Sequence, residues 1–499
     1  MERRTERSTP ANWSVHTTCT TRSDDSPAMD ANAIQPCSKE PIAATADRRS
    51  ARRWITLPPV ARTMVARRSL RASLGVGGAV VVIGLQGAIG LLAVVNAQIA
   101  IAMSAVLVLG LLGMFDPLIV AALSFPATLA TWRLGGSSLD MSYADAVLVM
   151  SVLVALPYVP WHSRLLHRML GAAGVYLVVL AITLVANPST RAVLELVHRM
   201  VLLCGSMLVG SAIAAAGRTR FALRLFLAAA VTLSVAAVLD SLSSGLEPAY
   251  PLGVHKNAAG MLLTCALLVL VIAPDLVRIP KMGTLPVQAV LAAGLLACQS
   301  RASAATFLAA LFIAALRNRG SRAFVPVIGA IALAAMIWTT SQNLTEDSPD
   351  ARFNSLNTRL EAYDSSMEIW AEQPIFGAGL RYFRDPDYAV SEPHNVIVVS
   401  LGESGLIGTL GLVVMLVMVV AGLRKGASSA SRLAIYLVVA QVVNGLADIY
   451  WVAGRGTLPW LIVGIAVGTE WVQKREARPS GVGEAPALAD HRHTAFDLR

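Results

Sequence analysis

Residues 393–423 read PHNVIVVSLGESGLIGTLGLVVMLVMVVAGL. A run this long and this apolar is a helix that crosses a bilayer, since about 20 residues rising about 1.5 Å each span a hydrocarbon core of about 30 Å. It opens on Pro393, His394 and Asn395, so a histidine stands where a polar loop enters the run. Gly402, Ser404, Gly405, Gly408 and Gly411 predict that another helix or a ligand comes close to its backbone. Glu403 lies inside the run, where an ionisable side chain is costly and marks a functional position. Taken alone, His394 also fits an ordinary loop histidine in front of a membrane helix.

The rest of the chain repeats the pattern. It is 55% hydrophobic and only 14% charged, with a mean hydropathy of +0.61, values that exclude a soluble protein. Apolar runs fall near 74–95, 97–115, 117–132, 143–160, 169–187, 191–216, 221–241, 256–276, 284–300, 302–316, 323–341, 395–423, 432–450 and 457–473. The expected fold is therefore all-α: a polytopic helical membrane protein of roughly 12 to 14 transmembrane helices with one large external loop. The runs at 117–132 and 302–316 are short enough to be tilted or re-entrant.

The net charge of +10 has a topological source, and nucleic acid is not an expected partner. With the N-terminus inside and every run crossing, the cytoplasm receives Arg164 and Arg168, Arg218 and Arg220, Arg278 and Lys281. It also receives Arg317, Arg319 and Arg322, then Arg424, Lys425 and Arg432, and finally Lys474 and Arg475, as the positive-inside rule requires. Residues 1–72, with 13 basic and 7 acidic side chains, read as a disordered cytoplasmic tail without a signal peptide's apolar core. Transmembrane helices follow over 73–341, an external loop over 342–394, further transmembrane helices over 395–474 and a cytoplasmic tail over 475–499. Cys204, Cys265 and Cys298 fall in apolar runs and Cys19 and Cys37 in the tail, a spacing that suits neither disulfides nor zinc.

The loop at 342–394 carries ten acidic residues against four arginines and is too long to be a plain connection. Thr358 and Glu361 have capping-box spacing, and Leu360, Tyr363, Met367 and Trp370 form an apolar stripe at helical period, closed by Pro374. Gly377 and Gly379 then predict a turn. On this reading Arg359 sits in the first helical turn, where the helix dipole disfavours a cation. Other outward basic positions are His255 and Lys256 at the start of one span, and Arg301 between two spans. An arginine there must snorkel or bind an anion. Arg199 is a fifth candidate, and with Glu195 one turn earlier a local ion pair explains it equally well.

The spacing His394-Asn395, nine residues, Gly405, two residues, Gly408 resembles the signature of the O-antigen ligase superfamily. Arg301, the block from Arg359 to the Pro374-x-x-Gly377-x-Gly379 ending, and His394 follow in that superfamily's order, and the resemblance spans roughly residues 75–470. It implies a bacterial inner-membrane glycosyltransferase with cytoplasmic termini. Such an enzyme moves a glycan from undecaprenyl diphosphate to an acceptor hydroxyl, on lipid A-core or another glycan or protein, at the outer face. It implies that Arg301 and Arg359, with Arg352 as the alternative to Arg359, hold the donor diphosphate, and that His394 is essential. O-antigen polymerases and protein O-oligosaccharyltransferases share the chemistry. A transporter of an anionic solute is the reading from another class, and the long external loop counts against it. His255, Lys256, Asn395 and Glu403 are secondary candidates. No cofactor and no metal is expected, since guanidinium groups can neutralise the leaving diphosphate and Asp385-Pro386-Asp387 is a poor carboxylate pair. A neutral His394 would take the acceptor proton, and the glycines after it would leave room for the lipid-linked donor.

Overall fold

The computed structural model describes residues 113, 116–134, 141–317, 355–385, 391–449, 451 and 454–477. Within them the chain forms α1 (Pro117–Ala127), a two-residue ribbon of β1 (Arg133–Leu134) and β2 (Met141–Ser142), α2 (Tyr143–Ala155), α3 (Arg164–Ala186), α4 (Thr190–Met200) and α5 (Ser206–Ala215). Then come α6 (Thr219–Ser243), α7 (Lys256–Ile272), α8 (Lys281–Cys298), α9 (Arg301–Arg317), α10 (Ser355–Glu372), α11 (Val396–Leu423), α12 (Ser429–Gly445) and α13 (Leu458–Glu476). Every apolar run that falls inside the described residues is a helix. The tail, the runs at 74–95, 97–115 (Gly113 excepted) and 323–341, and the loop at 342–354 with Arg352 lie outside them.

Among the described residues, four segments are long and apolar enough to cross a membrane: Arg164–Ala186, Thr190–Ala215, Thr219–Ser243 and Val396–Leu423. The second joins α4 to α5 through a π-helical turn, Val201–Gly205, which adds a residue to the turn without breaking the helix. Leu239, Val178 and Leu410 stay exposed, as lipid-facing positions do, because no hydrophobic drive pulls them from hydrocarbon. Small residues decide where helices meet. On α13, Gly464 and Gly468 stand one turn apart, and a Cβ on either would run into the α5 backbone at Met207 and Ser211. The two helices pack backbone to backbone along this line.

The external helix differs from its sequence reading. α10 begins at Ser355, so Thr358 lies inside it rather than at its N-cap, and Arg359 stands beyond the first turn, where the dipole penalty has faded. Among its described side chains, Ala362 and Ser366 are buried, whereas Leu360 is 49% exposed. The most buried side of α10 thus carries small residues and lies beside the apolar stripe that the sequence predicts.

Candidate active site

α11 is interrupted. Gly405 adopts φ 64°, ψ −164°, so the bonds from residue 406 to 402 and from 407 to 403 that a continuous helix would make cannot form. The segment after α10 replaces them. Leu406 N–H donates to Pro374 O at 2.9 Å and Ile407 N–H to Ile375 O at 3.3 Å. In return, Ala378 N–H donates to Gly402 O at 2.8 Å and Gly379 N–H to Glu403 O at 3.0 Å. Gly377, at φ 69°, has no space for a side chain, since a Cβ would lie 2.6 Å from the Glu403 carbonyl carbon. Its carbonyl accepts from Asn187 Nδ2 at 2.8 Å, at the C-cap of α3. Thus the glycines at 402 and 405 receive the returning loop, with Phe383 and Ile375–Phe376 against them, and leave no room there for a lipid-linked donor. Gly411 does what was expected of it and packs on Val179 of α3.

The loop delivers His394 to one end of the bundle. Asn395 caps α11, its side chain accepting from Ile397 N–H at 2.9 Å and Val398 N–H at 3.4 Å, which gives it a local structural task. His255 likewise caps α7, its Nδ1 accepting from Asn257 N–H at 3.3 Å. Lys256 follows, within electrostatic reach of both Arg301 and Arg359. Arg301 begins α9 and is exposed. The start of α9 is fastened to α7 by Ser300 Oγ donating to Asn257 Oδ1 at 3.2 Å, and to α12 by Asn444 Nδ2 donating to Ser303 Oγ at 3.4 Å. Arg359 Nη1 donates to Ala447 O at 3.2 Å, and Tyr363, one turn on, donates through its hydroxyl to His394 O at 3.2 Å. The sequence-predicted Arg301, Arg359, Lys256, His255 and His394 therefore share one neighbourhood. Burial, then the Arg359 charge, holds the His394 imidazole below its usual pKa against the pull of Asp448 and Glu392. His394 Nδ1 is buried with no hydrogen-bond partner among the described residues.

Two members of this neighbourhood escaped the sequence reading. Asp448 and Arg455, 3% and 4% exposed, form a buried ion pair in the connection between α12 and α13. Burial opposes ionisation of Asp448, but Arg455 holds its pKa below the usual carboxylate value. Arg455 stands between two apolar runs as Arg301 does, so the same reasoning could have found it; Asp448 was hidden at the end of an apparent span.

Glu403 belongs elsewhere. It accepts from Arg199 Nη2 at 2.8 Å, while Arg199 Nε donates to Glu195 at 2.8 Å and Nη1 to Tyr176 Oη at 3.0 Å. Trp451 lies over the Arg199 guanidinium at 5.0 Å and stacks on Tyr176 at 5.9 Å. Arg381 pairs with Glu195 at 3.3 Å, and Arg384 holds Glu392 through both carboxylate oxygens. The local Arg199–Glu195 pair expected from spacing is present, yet its larger task is to bind α4 to α11 and to the returning loop. Removing one partner of such a buried pair strands a charge at a cost of about 3–5 kcal/mol. Arg199, Arg384, Glu392, Glu403 and Trp451 of this network line a small cleft together with Val396 and Val399 of α11. Asp385 pairs with Arg191. Among the described residues, no three His, Cys, Asp or Glu side chains come together as metal ligands.

These features define a polytopic helical membrane protein with a cationic, histidine-bearing site where several helices end. Residues 287–413, from α8 into α11 and including Arg301, Arg359 and His394, match the family model described as O-antigen ligase, which supports the O-antigen ligase superfamily for this chain. No curated protein matches it. The family is one of the bacterial inner membrane, with a ligase- or polymerase-type function.

Proposed function

We propose that the chain transfers a glycan from undecaprenyl diphosphate to an acceptor hydroxyl at the outer face of the inner membrane, with both termini in the cytoplasm. The observation that carries this reading is the convergence of Lys256, Arg301 and Arg359 on the end of the bundle that holds His394. A diphosphate leaving group needs its developing charge neutralised, and guanidinium groups do so while always protonated and in bidentate geometry. His394, depressed in pKa and so neutral near pH 7, takes the proton of the acceptor hydroxyl. That oxygen bonds to the anomeric carbon as the bond from carbon to the diphosphate oxygen breaks, so one displacement inverts the centre. The complete His394 signature favours a ligase, with lipid A-core or a similar glycan as acceptor, over a polymerase or a protein-glycosylating enzyme.

Purified protein given a labelled polyprenyl-diphosphate glycan and an acceptor is expected to release polyprenyl diphosphate, and to do so undiminished in EDTA. Loss in EDTA with recovery in magnesium would overturn the arginine-based mechanism, while no release under any condition would overturn the transferase reading. Arg301→Lys, which keeps the charge and loses the fork, is expected to lower the rate about 10- to 100-fold, the worth of about 1.5–3 kcal/mol for a charged hydrogen bond. Wild-type turnover in that variant would reduce Arg301 to a snorkelling anchor.

A further inference from the structure

The connection between α12 and α13 holds more of the site than its sequence suggests. Ala447 O receives Arg359, and Trp451 O receives Arg384 Nη2 at 3.3 Å. Arg384 in turn grips Glu392, two residues before His394. The guanidinium assigned to the donor and the segment carrying the histidine therefore both hang from residues 447–451. The Asp448–Arg455 pair closes this connection on itself, and both side chains are almost fully buried. Asp448 Oδ1 also accepts Ile449 N–H at 2.8 Å, which fixes the carboxylate. Arg455 Nε is buried with no hydrogen-bond partner among the described residues, so the pair turns only one edge of the guanidinium to Asp448. Neither residue lies in the segment that matches the family model.

We infer that Asp448 and Arg455 are positioning residues for His394, an internal ion pair that fixes the connection from which Arg359 and the segment carrying the imidazole both hang. The inference rests on the general-base role given to His394 above. The charged and titratable groups that act on that ring come from several elements: Arg359 on α10, Glu392 on its own segment, His255 at α7 and the Asp448–Arg455 pair, while Tyr363 on α10 holds the His394 carbonyl and Lys256 lies beyond, beside Arg301 and Arg359. Asp448 draws the imidazole toward protonation and Arg455 opposes it, acting from opposite ends of one bond. Removing either charge must move the titration of His394, and in opposite directions. A clasp that held the turn without facing the ring would move neither, and one that did not position the ring would leave kcat unchanged when the pair is displaced with its charges kept.

The test is the pH dependence of transfer in detergent-solubilised full-length protein, with folding followed by thermal unfolding. In Asp448→Asn the acid limb of the rate should shift to lower pH, and in Arg455→Gln to higher pH. Limbs that coincide with the wild type in folded variants would overturn the positioning role. If a single neutralisation prevents folding, Asp448→Glu and Arg455→Lys keep the pair charged but displace it. Each should lower kcat several-fold with KM for the donor unchanged, and wild-type kcat in both would overturn the proposal. A wild-type profile with no acid limb would instead defeat the general-base reading of His394, so the two failures are told apart.

Discussion

His394→Ala is expected to bind the polyprenyl diphosphate donor close to wild-type affinity and to lose about 10²- to 10⁴-fold in transfer, the usual worth of a positioned proton acceptor. Binding should survive because Arg301, Arg359 and Lys256 carry the charge complementarity, and His394 adds little to it while neutral. The wild-type rate should rise with pH through an apparent pKa below the ordinary value of 6.5, because the folded environment lowers the imidazole pKa. A base is competent only above its pKa, so the limb is lost as pH falls. If His394 instead held the diphosphate as a cation, activity would fall as pH rises, and donor binding would drop together with transfer in the alanine variant. Donor titration and a rate profile on the same preparation decide between the two.

Gly405→Ala is expected to cost about 3 kcal/mol or more, read as a large fall in thermal midpoint with transfer lost in parallel. Two effects add. The backbone at φ 64°, ψ −164° is a region open essentially to glycine alone, at about 1–3 kcal/mol for any other residue. A Cβ would also run into the Ile375 carbonyl and Phe376 nitrogen, in packing that can relax only by releasing the loop. Gly174→Ala on α3 is the control, since nothing lies within 4 Å of the added carbon. An unchanged midpoint in Gly405→Ala would mean that the interruption of α11 is not needed.

The membrane architecture was legible because apolar runs in a bilayer protein have few alternatives: the runs at 169–187 and 221–241 became Arg164–Ala186 and Thr219–Ser243. The cationic group was legible for the same reason, as Arg301 and Lys256 interrupt apolar sequence and must answer for their charge. The role of Gly405 was not. Spacing marked it as a place of close approach, but only the fold reveals that the visitor is the chain's own loop. Asp448 was missed because a carboxylate at the end of an apparent span looks like its boundary, and Leu360 misled because a period of apolar residues cannot tell a buried face from one beside it. The network around Arg199 needed Glu403, more than two hundred residues away in sequence, and no local pattern brings those together.

The four backbone bonds at Gly405 also bear on how such proteins can be recombined. Pro374, Ile375, Ala378 and Gly379 complete the hydrogen-bond ladder of a membrane helix they do not belong to. A chimera that grafted a foreign external loop up to His394 would part the two halves of one ladder and leave backbone amides of α11 unpaired. The transplantable cassette must run unbroken from before Pro374 to beyond Ile407, so the loop and the upper part of α11 travel together or not at all.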